Sequence, residues 1–224
     1  MVYLIILAII GLLGPHFWAK RILDKYNRKE YFSGNGIELS ELVLARLDLH
    51  DVRVMITDTA DHYDPQSKTI RLTQARCGRR SLTAVVVAAH EIGHAIQDHA
   101  GYPPLQTRTR LIGTAVKIER VGAAIMVGVP LFAIITRVPS AGLLMFLGGL
   151  ATLCTPVLIH LLTLPCELDA SFKRALPLLS SGAYIPREDI PAARRILLAC
   201  ALTYVANSLM GLLNVWRWIK ILRR

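Results

Sequence analysis

Little in this chain suits a disulfide-held or nucleotide-driven protein. Its 224 residues include four cysteines, Cys77, Cys154, Cys166 and Cys200. They show no C-x-x-C spacing and no disulfide framework. Cys154 and Cys200 fall in apolar runs and read as small buried residues. No glycine-rich phosphate loop is present, so ATP-driven work is not expected of this chain. There is no internal repeat and no low-complexity segment. Acidic residues are few, 16 against 26 Lys and Arg, for a formal net charge of +10. No aromatic-interleaved basic patch or nucleic-acid motif accompanies that charge, which argues against nucleic acid as a partner. What is abundant is apolar surface. Hydrophobic residues make up 53% of the chain and the mean hydropathy is +0.43, high for a soluble domain. The basic residues gather at the ends of apolar runs, where they set topology and meet anionic lipid.

Four runs approach membrane length, which is about 20 residues with a lower limit near 17. They are residues 2–18, 121–136, 141–164 and 196–218. Lys20, Arg21, Lys25, Arg28 and Lys29 follow the first run at once. No basic segment precedes it and no cleavage site follows, so it reads as a retained anchor with its far end in the cytoplasm. The second and third runs are joined by a short turn, 137–140, and form a transmembrane hairpin. The fourth conflicts with the same rule. Four crossings put the C-terminus outside, yet the tail carries Arg217, Lys220, Arg223 and Arg224.

Between the runs lies a small α+β region. Residues 37–47 carry apolar side chains at helical spacing, and 52–56 and 69–73 alternate as strands. Residues 61–67 read as the turn of a hairpin, with Pro65 fixing its backbone. An exposed edge there could accept a peptide as an added strand beside 69–73, with His62, Tyr63, Ile70 and Leu72 at the contact. The alternative is that His62, Tyr63 and Asp64 only build the turn.

The chain is organised around His90-Glu91-Ile92-Gly93-His94, an H-E-x-x-H sequence inside an apolar stretch, 81–98, that reads as helix. Residues four apart share a helix face, so His90 and His94 can offer two imidazoles to one ion. Glu91 is turned by about 100° and suits a general base toward a water on that ion. Gly101-Tyr102-Pro103-Pro104 ends the helix. A third ligand is needed for a catalytic zinc site. A histidine six residues beyond His94 would complete one pattern, but that position is Ala100, and the glycine wanted midway is Gln97. His99 and His160 are not suited as ligands. Glu167 is the better choice, because two histidines and a glutamate form a known zinc ligand set. Pro165 is expected to start a new helix with Glu167 in its first turn. The two runs between His94 and Glu167 return the chain to one side, so both halves of the site face one compartment. The competing reading is that Glu167 only caps that helix. Asp169 and Ser171 are candidates for holding a ligand histidine through its other nitrogen. Cys166 is a secondary ligand option.

These residues resemble the small membrane-embedded neutral zinc metallopeptidases of bacteria, the YugP-like group. The resemblance rests on Asp61 to Pro65, Lys68 to Leu72, Ala88 to Gln97, Gly101-Tyr102, Pro104-Leu105, Leu164-Pro165, Glu167, Asp169 to Ser171 and Ala201 to Ala206. It implies a gluzincin-like site with His90, His94 and Glu167 on one zinc ion and Glu91 as base. A more distant likeness to HtpX-type proteases places an aspartate four residues after the ligand glutamate. Here that place is Ser171.

The expected architecture is a mainly α, multi-pass membrane protein with a small α+β gluzincin-like catalytic domain, a short β-hairpin plus the H-E-x-x-H helix. Its parts are an anchor (1–18), a catalytic region (19–120), the hairpin (121–164), a third-ligand segment (165–194) and a fourth apolar helix with a basic tail (195–224). The expected activity is zinc-dependent endopeptidase, with membrane-associated or unfolded proteins as substrates. The site would lie on the cytoplasmic side of the bacterial inner membrane. Tyr204, a tyrosine in an apolar run, either donates to the oxyanion or packs between helices. A membrane-protein partner or a second copy is compatible with the sequence. The rival function is a catalytically silent zinc-binding scaffold, against which Glu91 argues.

Overall fold

A computed structural model describes residues 2–27, 34–136, 139–181 and 184–212. The order is α1 (Val2–Tyr26), α2 (Gly36–Arg46), β1 (Arg53–Thr57), β2 (His62–Asp64), β3 (Thr69–Thr73), α3 (Gln74–Cys77), α4 (Leu82–His99), α5 (Pro103–Thr136) and α6 (Pro139–Leu168). A π-helical stretch (Asp169–Ala175), α7 (Leu176–Ser181), a 3-10 turn (Arg187–Asp189) and α8 (Ile190–Leu212) complete it. The protein is mainly helical with one three-stranded sheet. It divides into two compact units. One is helical: Met1–His16, Thr107–Thr163 and Tyr204–Arg224. The other bears the sheet: Phe17–Gln106 and Leu164–Thr203.

In the sheet-bearing unit α4 is buried on all sides, from Leu82 to Ala95. That is why its sequence is apolar around the whole turn rather than along one stripe. Ser81 caps it, accepting from the Ala84 N–H at 3.2 Å. Its neighbours Val43 and Leu44 of α2, Ile70 and Leu72 of β3, and Ile196 and Leu197 of α8 close one core around it. Asn35 starts α2 with a reciprocal cap, accepting from Ile37 and Glu38 N–H while Glu38 accepts from the Asn35 N–H.

The sheet order is β1-β3-β2. β3 pairs parallel with β1 and antiparallel with β2. The expected hairpin between 52–56 and 69–73 is therefore corrected. The true hairpin is β2-β3, and β1 joins it by a crossover. β3 is central, so its edge is not open to a peptide; Ile70 and Leu72 face the core instead. The free edges are β1 and β2. Residues 61–67 do more than turn. Asp61 accepts from the Thr73 N–H at 2.7 Å and from Arg76 Nε at 2.8 Å, locking the exit of β3. Asp64 accepts from the Gln66 N–H and Ser67 Oγ–H and pairs with Arg71.

Two helical expectations also change. Pro165 does not start a helix: α6 runs through it to Leu168 and passes directly into the π-helical stretch. The missing proline N–H weakens the local ladder, and surrounding packing carries the helix across. The fourth apolar run is, in its first half, a core helix. Ile196, Leu197, Ala199 and Ala201 are buried in protein, so their hydrophobicity does not signal lipid. Its end and the basic tail, 213–224, lie outside the described residues.

Membrane-length hydropathy is found, among the described residues, in one helical run, Leu147–Ser181. Four crossings are thus not supported at that number. In the helical unit, Gly149 permits close approach of α6 to α5, since an added Cβ would lie 2.8 Å from Met126 Sδ.

Asp61→Ala should destabilise the sheet-bearing unit by about 1–3 kcal/mol, because it strands the Thr73 N–H and the Arg76 guanidinium. A lower thermal midpoint in detergent, with Asp61→Asn intermediate, is the expected result.

Candidate metal centre

One close contact shapes the site. Gly93 stands between the two histidines of α4. A Cβ there would lie 2.5 Å from Ala170 O in the π-helical stretch. Glycine alone lets the two backbones meet so closely. Ala170 sits at the contact, and the residues on either side of it straddle α4. Ser171 reaches back to His90, and Asp169 reaches forward to Gln97.

Glu167, one turn earlier, points between the histidines. Its Oε2 lies 3.1 Å from His94 Nε2 and 3.4 Å from His90 Nε2. One ligand atom from each of the three residues falls within 4.8 Å of the others. The three side chains are 2–3% exposed, and the adjacent Glu91 is 5% exposed. The rings of His90 and His94 are edge-on, with centroids 4.9 Å apart. Glu167 is therefore no cap: it stands inside an unbroken helix and faces the imidazoles.

Ser171 decides the state of His90. Its hydroxyl hydrogen goes to Leu197 O at 3.2 Å, so Oγ accepts from His90 Nδ1–H at 3.0 Å. Nε2, on the Glu167 side at 3.4 Å, is then the nitrogen left for a cation. A neutral imidazole held this way is what a cation ligand requires. Ser171, rather than an aspartate, is the residue at the far nitrogen of His90.

A family described as "Putative neutral zinc metallopeptidase" matches residues 1–223. This chain belongs to that family. The chain is also 32% identical over 225 residues to a protein of Bacillus subtilis (strain 168) named "Putative membrane protease YugP". The alignment covers 97% of this chain and 96% of that one. No solved structure matches.

The donor set fits the family's metal. Two imidazole nitrogens and one carboxylate, buried and converging, are a donor set that suits zinc. Cys166 is buried beside Glu167, but its Sγ is directed to Gln97 Oε1 at 3.5 Å.

The other expected residues separate. His62 and Tyr63 lie on the β2 edge. Tyr63 is buried and its O–H donates to Asp98 Oδ2 at 2.8 Å, tying β2 to α4 one turn past His94. Burial, then the Asp98 carboxylate, push its phenol pKa well up. His62 Nδ1 is 2.8 Å from Ala60 O. Tyr204 belongs to the helical unit, stacked on His160 with centroids 5.5 Å apart and with the Arg108 guanidinium over its ring at 5.2 Å. Gln97 was not foreseen as part of the site. The signal was present: an amide three residues after His94, on an otherwise apolar buried helix, needs polar partners.

Gly93→Ala should force α4 and the π-helical stretch apart, lowering zinc affinity and stability together. Ser171→Ala should keep the fold and lower zinc affinity about 10–100-fold. Competition with a chromogenic chelator measures both.

Proposed function

We propose that this metallopeptidase is a membrane-embedded zinc endopeptidase acting on membrane-associated or unfolded proteins. The observation that supports it is the convergence of His90, His94 and Glu167 donor atoms within 4.8 Å beside a buried Glu91. Zinc, when bound, supplies Lewis acidity toward the scissile carbonyl and toward water. Glu91 takes a proton from the attacking water and later gives it to the leaving amine. The water oxygen ends on the carbonyl carbon as the C–N bond breaks. Burial keeps the carboxylate in a low-dielectric setting where it is not screened by bulk water.

The substrate strand is assigned to the β2 edge rather than to β3. β2 is an outer strand, and Tyr63 links it to the end of α4 that carries His94. Main-chain pairing there gives affinity without sequence selectivity, as an unfolded substrate requires. Tyr204 is assigned as a donor to the developing oxyanion.

Several crossings remain part of this proposal. Exposed bulky residues on α5 and α6, such as Ile134 (72%) and Leu162 (71%), support lipid contact. The basic residues after the first run favour a cytoplasmic site.

Glu91→Gln should reduce cleavage of an unfolded protein in detergent by about 10²–10⁴-fold while one zinc per chain is retained. Equal cleavage by both forms refutes the mechanism. Cleavage by neither, with zinc bound, favours a scaffold. Tyr204→Phe should lower kcat with little change in KM; full turnover refutes its role.

A further inference from the structure

Gln97 is fully buried and its amide has a partner at each end. Its Oε1 lies 2.9 Å from His94 Nδ1. Its Nε2 lies 3.0 Å from Cys166 O and 2.8 Å from Asp169 Oδ2. A backbone carbonyl and a carboxylate accept, so each takes one of the two N–H groups of Nε2. That fixes which way the amide faces, with its carbonyl toward His94. A carbonyl oxygen cannot donate, so His94 Nδ1 carries the proton. Nε2, 3.1 Å from Glu167 Oε2, is then the nitrogen that a cation can take up between the two side chains.

The flipped amide reverses each of these statements. Its oxygen would face two acceptors, Cys166 O and Asp169. Its NH₂ would face His94 Nδ1, which would then have to accept. The ring proton would move to Nε2 and block the atom aimed at the metal. The orientation of one amide therefore selects between a histidine able to bind a cation and one that is not.

We propose that Gln97 is a positioning residue that sets the metal-binding tautomer of His94, and that Asp169 acts on His94 through Gln97 alone. Asp169 Oδ2 meets Gln97 Nε2 rather than the His94 ring. Its carboxylate also pairs with Arg174 Nε at 3.4 Å, on the oxygen that Gln97 meets, and with Lys173 Nζ at 3.7 Å on the other oxygen. The two ligand histidines are thus fixed by different devices. A serine hydroxyl that gives its hydrogen to a backbone carbonyl orients His90, and an amide held by a carboxylate orients His94. The inference rests on His90, His94 and Glu167 being the ligands.

The test uses the full chain in detergent, with Gln97→Met, Asp169→Leu and the double variant. Methionine matches the glutamine in size and lacks the amide. Two quantities are read: the imidazole ¹⁵N shifts of metal-free protein, and zinc affinity by chelator competition. In the parent protein His94 Nδ1 should carry a proton held in the hydrogen bond to Gln97 Oε1. Gln97→Met should give a tautomer mixture and lose about 10–100-fold in zinc affinity. Asp169→Leu should shift the tautomer in the parent background and do nothing further in the Gln97→Met background. A folded Gln97→Met protein with unchanged tautomer and affinity overturns the proposal, as do additive losses in the double variant. If Gln97→Met fails to fold, Asp169→Leu decides the matter through the same tautomer readout. The tautomer is read without metal, so a parent protein that binds no zinc refutes the ligand assignment separately.

Discussion

The structure depends on a backbone contact between α4 and the π-helical stretch at Gly93 and Ala170. A Cβ at Gly93 would meet Ala170 O at 2.5 Å, so the approach is closer than any side chain allows. From that contact the rest of the site follows. Glu167, three residues before Ala170, falls between His90 and His94. Asp169 and Ser171, on either side of Ala170, reach the far nitrogens of the two rings directly or through Gln97. A π-helical stretch is rare and is found often at functional sites. Here it changes the angular spacing of the three residues so that all of them address one neighbouring helix.

Such a contact is stable only inside a well-packed frame. α4 is encased by α2, β3 and α8, whose buried side chains form one core. Four polar or ionisable ligand-region side chains, His90, Glu91, His94 and Glu167, are buried in that core. Each carries a desolvation penalty that hydrogen bonds and a cation must offset. Ser171 and Gln97 supply such hydrogen bonds at His90 and His94.

The sequence made the histidine pair legible because a helix repeats every 3.6 residues and the flanking residues contain no breaker. Glu167 was legible by elimination among the candidate third ligands, and its carboxylate does group with the two imidazoles. Ser171 does lie beside His90, but its second partner, the Leu197 carbonyl, is announced by no local pattern. Gln97 was passed over because it was weighed only as a misplaced glycine of another motif. The sheet was misread for a physical reason: β2 is three residues long, too short for a period-2 pattern, so its residues looked like a turn. With β2 hidden, β1 seemed the hairpin partner of β3. Pro165 misled because tertiary packing outweighed its local preference. The fourth apolar run misled because a core helix and a lipid-facing helix share a composition, and only burial separates them.

The most direct measurement is X-ray absorption at the zinc edge on the purified protein. The account predicts one zinc per chain with only nitrogen and oxygen neighbours, at about 2.0–2.1 Å, and two imidazoles among them. Glu167→Ala should remove one light neighbour or the metal itself. A sulfur neighbour at about 2.3 Å, which would bring Cys166 into the shell, or three imidazoles, which would bring in another histidine, would contradict the assignment.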